Sequence, residues 1–182
     1  MPGTYRWPAR FACRTIRPMS IRVLVTGGTF DKQYNEIDGS LYFSETNVEH
    51  VLARGRCRLD AVVEVLMMKD SLDMVAADRQ RIVTACRACA EGRVVITHGT
   101  DTMVETARAL AAAKLEKTIV LTGAMIPFVF GSSDGLFNLG SALSFVQTLP
   151  KGVYVAMNGR WFPWDDVRKN KELGVFEAIS GG

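Results

Sequence analysis

Four short segments of this chain carry the hydroxyls, glycines and acids that attack on a carbonyl requires. They are Thr26-Gly27-Gly28-Thr29, Lys69-Asp70-Ser71-Leu72-Asp73, Thr97-His98-Gly99-Thr100-Asp101-Thr102 and Leu121-Thr122-Gly123-Ala124. A free hydroxyl is a poor nucleophile and needs a positioned base and donors for the oxyanion. Thr100-Asp101 on a sharp turn offers a hydroxyl, a backbone N–H and a carboxylate able to hold an ammonium group. A lysine among apolar walls or near another cation can lose its proton and act as the base. Glycines 27, 28, 99 and 123 let the backbone turn sharply and leave amide N–H groups open to a ligand. If Thr29, Ser71, Thr100 and Asp101 converge, they make one polar cleft in an otherwise apolar domain. Threonines at strand ends also serve as helix caps, so residue types alone leave both readings open.

Such groups need a scaffold, and the hydropathy pattern supplies one. IRVLVT (21–26), AVVEVLMM (61–68), RVVIT (93–97), TIVLTG (118–123) and GVYVAM (152–157) are short apolar runs rich in β-branched residues, predicted as buried strands. Between them lie helical patterns near 47–54, over 75–91, over 100–115 and from Asp134 to Thr148. Residues 30–45 read as a polar loop, and the segment beyond 157 as a polar tail. Regular alternation of strand and helix predicts an α/β fold, a three-layer doubly wound, mostly parallel sheet with helices on both faces. In such sheets ligands bind outside the carboxyl ends of the strands, where all four segments fall.

The remaining composition narrows the function. With 182 residues and a net charge of +3, the chain suits one domain and does not suggest a nucleic-acid or anionic-membrane surface. No apolar run reaches the roughly 20 residues that span a bilayer. Gly27-Gly28 follows a strand, yet Thr29-Phe30-Asp31-Lys32 replaces the helix that a dinucleotide loop opens into, and a phosphate-cradling G-x-x-x-x-G-K-[ST] is missing from the sequence. Cys86 and Cys89 form a CxxC late in a helical pattern rather than at a helix N-terminus. No second CxxC or nearby histidine completes a zinc set, so free thiols in a reducing cytosol are expected, with no metal or organic cofactor. The arginine-rich residues 1–20 are expected to be a disordered or non-native leader, with 21–180 the single domain.

Read together, TGGTFD (26–31), DSLDM (70–74), THGTDTMVET (97–106), VLTGAMIP (120–127), SDGLFNL (133–139) and DVRKN (166–170) resemble the bacterial-type L-asparaginase family. The resemblance runs in order over nearly all of 21–178 and implies a Rossmann- or flavodoxin-like N-terminal asparaginase domain. It implies hydrolysis of L-asparagine to L-aspartate and ammonia, with Thr29 as primary nucleophile. Thr100 then matches the second threonine, Lys169 its lysine partner, and Asp101 the acid that anchors the substrate's α-amino group. Ser71 corresponds to the residue that takes the α-carboxylate, although Leu72 stands where the family carries a glutamine. Gly28 and Gly99 bring backbone N–H groups to the substrate, and Ala124 offers its carbonyl to the leaving amide nitrogen. Short family members carry TGGTFDK-x-Y, which makes Tyr34 the activating tyrosine; longer ones space theirs near Tyr42.

Typical members add a C-terminal domain that completes a neighbour's site, so a single-domain form is expected to close less fully over substrate. A homo-oligomer follows from the same resemblance, with Trp161 and Trp164 expected at the contact between copies, and the free thiols and the lack of a secretory apolar core predict a cytoplasmic location. His98 is expected to be hydrogen-bonded beneath its turn, and Asp165 and Asp166 to be solvated or to hold the Lys169 segment. Two alternatives stand beside hydrolysis. One is an amidotransferase-associated subunit that makes ammonia for a glutamyl-tRNA partner, for which residues 1–20 are too short to be the extra N-terminal domain. The other is an asparagine- or aspartate-sensing module, which would not need the nucleophile.

Overall fold

The computed structural model describes residues 19–180, so all but the last two residues of the expected leader lie outside the described part, as does Cys13. The five apolar runs form strands β1 (Ile21–Gly27), β4 (Ala61–Lys69), β5 (Arg93–Thr97), β6 (Thr118–Thr122) and β7 (Gly152–Met157). All neighbours among these five pair in parallel. A sixth strand, β8 (Arg160–Pro163), closes the edge antiparallel to β7 through an Asn158-Gly159 turn. The order across the sheet is β4-β1-β5-β6-β7-β8. Counting only the parallel strands in chain order, this is the 2-1-3-4-5 arrangement of doubly wound sheets, with its switch point between β1 and β5.

Helices α1 (Val48–Arg54) and α4 (Gly135–Thr148) cover one face, and α2 (Ala76–Ala88) and α3 (Met103–Ala112) the other. Two apolar clusters result. One packs Ile82, Cys86, Met103 and Leu110 on Leu24, Ile96 and Ile119; the other packs Val48, Leu139 and Val146 on Val23, Val95 and Val120. Alternate residues of β1 and β5 feed opposite clusters, which explains why their sequences are apolar throughout. β4 is the exposed edge strand, with Val62 and Val65 partly open to solvent.

Two expectations need correction. Residues 30–45 are not simply a loop: a one-turn helix (Thr29–Asp31) leads into a hairpin of β2 (Lys32–Tyr34) and β3 (Leu41–Phe43). The tail beyond 157 holds β8 and a second hairpin, β9 (Arg168–Asn170) with β10 (Val175–Glu177). Strands of three or four residues are too short to show an alternating pattern, and Gly or Asn supplies the turns instead. Among the described residues no helix is long and apolar enough to cross a membrane. No group of three or more His, Cys, Asp or Glu is gathered for a metal ion there either.

Candidate active site

The chain leaves β1 and β5 on opposite sides of the switch point, and the two exits are built against each other. Thr26 Oγ1 donates to the Thr97 carbonyl at 2.8 Å, locking the strand tips together. Gly28 has φ +77, and a Cβ there would lie 2.4 Å from the Gly99 nitrogen. A Cβ on Gly99 would in turn lie 2.5 Å from Ser71 Oγ. Only glycine lets the three segments stack this closely, and the stack brings Gly28, Gly99 and Ser71 to one place. Thr102 Oγ1 donates to the Ser71 carbonyl at 2.8 Å, tying the turn after β5 to the turn after β4.

Lys169 reaches this point from β9, far along the chain. Its Nζ donates to Thr100 Oγ1 at 2.7 Å and to Asp101 Oδ1 at 2.8 Å, across 69 and 68 residues of sequence. The Lys169 side chain is largely covered, while Asp101 keeps more than a third of its side chain in solvent. Thr100 itself is buried. A buried hydroxyl, a lysine nitrogen and a carboxylate thus stand in hydrogen-bonded contact, with Lys169 between the other two.

The Thr29 side differs. Thr29 begins the one-turn helix after Gly28 and is half-buried. Among the described residues its hydroxyl has no hydrogen-bond partner. Two residues on, Asp31 is buried, and its Oδ1 accepts from the Asn47 N–H at 2.8 Å and Thr46 Oγ1 at 3.1 Å. Its Oδ2 is buried without a partner among the described residues. Burial pushes the Asp31 carboxyl up to about 6, against the pull of those two donors. Ser71 is likewise buried with its Oγ unpartnered, a hydroxyl facing Gly99 that a ligand could satisfy.

Neither tyrosine is packed down on the site. Tyr34 in β2 is 53% exposed and meets Phe130 edge-on at 6.1 Å between centroids. Tyr42 in β3 is 45% exposed, and its hydroxyl lies 3.4 Å from Gln33 Oε1. The hairpin that carries both is pinned at its base by Lys32, which pairs with Asp70 beside Ser71.

His98 has the structural place expected of it. It is fully buried; Nδ1 lies 2.8 Å from the Gly99 carbonyl and Nε2 lies 2.8 Å from Thr106 Oγ1. A carbonyl only accepts, so Nδ1 carries the proton and Thr106 donates to Nε2. Burial lowers its pKa to about 4, so the ring is neutral. Asp166 accepts from Ser180 N and Oγ, which closes the segment that contains Lys169. Trp161 packs edge-on against Tyr154 at 5.6 Å and stays 45% exposed. Burial pushes the Cys86 thiol up to about 12, which suits an inert core residue.

Ala124 is buried at the end of β6, and its loop depends on a residue whose role the sequence pattern does not announce. Asp134 precedes α4 but does not cap that helix with its side chain. Its carboxylate accepts instead from the Met125 and Ile126 N–H groups at 3.0 and 3.1 Å. Asn138, one turn later, donates to the Gly123 carbonyl at 3.0 Å and to Asp134 Oδ2 at 2.8 Å. A polar Asn138 amid the apolar face Leu139, Leu143 and Val146 was the signal available in the sequence.

Comparison with known proteins agrees with this fold. Residues 20–180 match the family model described as asparaginase, N-terminal. The chain is 32% identical over 177 residues to the Haemophilus influenzae protein named "Probable L-asparaginase periplasmic", covering 86% of this chain and 48% of that protein. It is 33% identical over 167 residues to a glutamyl-tRNA(Gln) amidotransferase subunit of Methanococcus vannielii, covering 86% of this chain and 37% of that one. The solved thermostable L-asparaginase of Thermococcus kodakarensis superposes with a TM-score of 0.75 at 30% identity, over 90% of this chain and 52% of that chain. The chain therefore spans about half the length or less of the relatives it matches. Family model, relatives and sheet order agree: this chain belongs to the asparaginase family, which it matches through that family's N-terminal domain.

Proposed function

We propose that the chain is an amidohydrolase that converts L-asparagine to L-aspartate and ammonia through a threonine nucleophile. The observation that carries this reading is the contact of Lys169 Nζ with both Thr100 Oγ1 and Asp101 Oδ1, beside the strand end that presents Thr29. Asp101 keeps an exposed oxygen edge for a substrate ammonium, and the unpartnered Ser71 Oγ is a donor for the α-carboxylate. Thr29 Oγ attacks the side-chain carbonyl carbon, and its proton passes to the Tyr34 hydroxyl or to a neighbouring base. Backbone N–H groups near Thr29 and Thr100 face the oxyanion. The C–N bond breaks, ammonia leaves with the transferred proton, and an ester on Thr29 remains. Water, deprotonated through Thr100 and Lys169, cleaves that ester to release aspartate and return the Thr29 hydroxyl. The reading needs neither metal nor organic cofactor, and the free thiols Cys57, Cys86 and Cys89 fit a cytoplasmic setting.

The test is ammonia release from L-asparagine by the chain, with Thr29→Ala alongside. Release that vanishes in the variant supports both activity and nucleophile; equal release from both moves the nucleophile to Thr100. The likeness to a glutamyl-tRNA(Gln) amidotransferase component keeps a second reading in view, in which the same chemistry feeds ammonia to a partner. Turnover by the isolated chain, unchanged by added glutamyl-tRNA, would exclude that role.

A further inference from the structure

Two parts of the proposed site come from distant stretches of chain: the Gly123-Ala124 loop after β6 and Lys169 on the β9–β10 hairpin. A continuous line of amide hydrogen bonds joins them. Asn138 Nδ2 holds the Gly123 carbonyl at 3.0 Å, and Asn138 Oδ1 accepts from the Asn158 N–H at 3.1 Å. Asn158 Oδ1 then accepts from the Phe176 N–H at 3.1 Å, and Phe176 lies directly opposite Lys169 in the hairpin. We propose that Asn138 and Asn158 are positioning residues that set the distance between the Gly123-Ala124 loop and Lys169. The proposal rests on the reading of Lys169 as a participant in catalysis.

Each link has a physical reason. Asn138 is fully buried, so its amide must find partners on both sides, and Asp134 and Gly123 take the two N–H bonds while Asn158 supplies the donor for the oxygen. Asn158 has φ +57 and begins the two-residue turn between β7 and β8. Glycine or aspartate also tolerates that conformation, so the turn alone does not demand asparagine. What asparagine adds is an acceptor aimed at the β10 backbone. The hairpin is short: besides Lys169 itself, the buried Val167 and Phe176 side chains, the Asn158–Phe176 bond and the Asp166–Ser180 closure place it against the sheet, and of these only the Asn158–Phe176 bond fixes the β10 backbone from the β7–β8 turn. Lys169 must hold Thr100 at hydrogen-bond distance, and a displacement of about 1 Å can cost up to about 100-fold in rate.

Two variants separate this role from simple support of the fold. Asn158→Gly keeps the turn and the N–H to Asn138 but removes the acceptor for Phe176; Asn158→Asp keeps the acceptor. The expected result for Asn158→Gly is a fall in kcat of about five- to 100-fold with KM within about twofold, a shifted pH–rate profile, and recovery in Asn158→Asp. Asn138→Leu leaves the Asn158–Phe176 contact untouched, so faster amide exchange across 168–177 in that folded variant is expected if the line of bonds transmits position. Wild-type exchange there, or wild-type kcat and pH profile in Asn158→Gly while Lys169→Met is inactive, overturns the positioning role alone. Wild-type turnover in Lys169→Met overturns the reading of Lys169 itself, and the positioning role with it.

Discussion

The exits of β1 and β5 lie side by side at the switch point, yet they are finished to different degrees. After β5, the side chains of His98, Thr100, Asp101 and Thr102 are all partnered: Lys169 on Thr100 and Asp101, the Gly99 carbonyl and Thr106 on His98, and Thr102 on the Ser71 carbonyl, with Thr97 Oγ1 at the strand tip the exception. After β1, Thr29 is half-buried, Asp31 leaves one oxygen unpartnered, and the hairpin beyond carries two tyrosines that face solvent. One exit is hydrogen-bonded before any ligand arrives, and in the proposed reaction the other is completed only when substrate engages Thr29 beneath the β2–β3 hairpin. Preorganised groups act at the moment charge develops. The proposed division is a fixed lysine, hydroxyl and acid on one side and a nucleophile completed by substrate on the other.

The sharpest way to break that division is at the fixed side. Lys169→Met keeps the length of the side chain and removes the amine from Thr100 and Asp101. The expected loss in kcat is about 10²- to 10⁴-fold, with thermal stability nearly unchanged because Asp101 is exposed enough to be hydrated. Loss of less than about fivefold would mean that the Thr100 side is structural rather than chemical. The Thr29 side is probed by Tyr34→Phe and Tyr42→Phe. Tyr34→Phe is expected to lower kcat about 100-fold and Tyr42→Phe by less than about fivefold. The reverse order would assign the activating role at Thr29 to the Tyr42 hydroxyl.

How much of this was legible in the sequence follows the same contrast. β1, β5 and β6 were readable because both of their faces are buried, leaving apolar runs that end at Gly or Thr. Thr29, Ser71, Thr100 and Asp101 were readable as candidates because a doubly wound sheet puts its strand ends together. Lys169 was not visible from its surroundings: DDVRKNK is a polar stretch in which nothing marks one lysine, and its partner lies 69 residues away. Only the resemblance to a family pointed to it. The β2–β3 hairpin was missed because its strands are three residues each and turn on the Asn35–Ser40 and Gly39–Asn35 backbone bonds rather than on a buried face. Asp134, Asn138 and Asn158 were missed because each serves backbone groups, which a search for reactive side chains passes over.

The smallest of these effects concerns stability and compares the two exits directly. Burial acts on both Asp31 and His98, but in opposite directions on the pH axis. The folded-state pKa of His98 is lowered to about 4, below its ordinary value, so unfolding takes up a proton between those limits. Its contribution is intact at neutral pH and is lost as pH falls from about 6.5 through about 4. The Asp31 pKa is raised to about 6, above its ordinary value, so here the folded state holds the extra proton. Its burial penalty is present at neutral pH and is relieved as pH falls through about 6 toward 4. In the wild-type chain the two effects offset one another over the same window. Asp31→Asn keeps an Oδ1 acceptor for Asn47 and Thr46 and removes the titration. The variant should gain about 2 kcal/mol at pH 7.5, read from urea unfolding, because it no longer carries a buried charge. On acidification to about pH 5 that advantage should shrink by roughly half, since the wild type is then relieved of part of its Asp31 penalty while the variant follows the His98 slope unopposed. A variant whose stability tracks the wild type at both pH values would mean that Asp31 is already satisfied when ionised, and that the β1 exit is as finished as its neighbour.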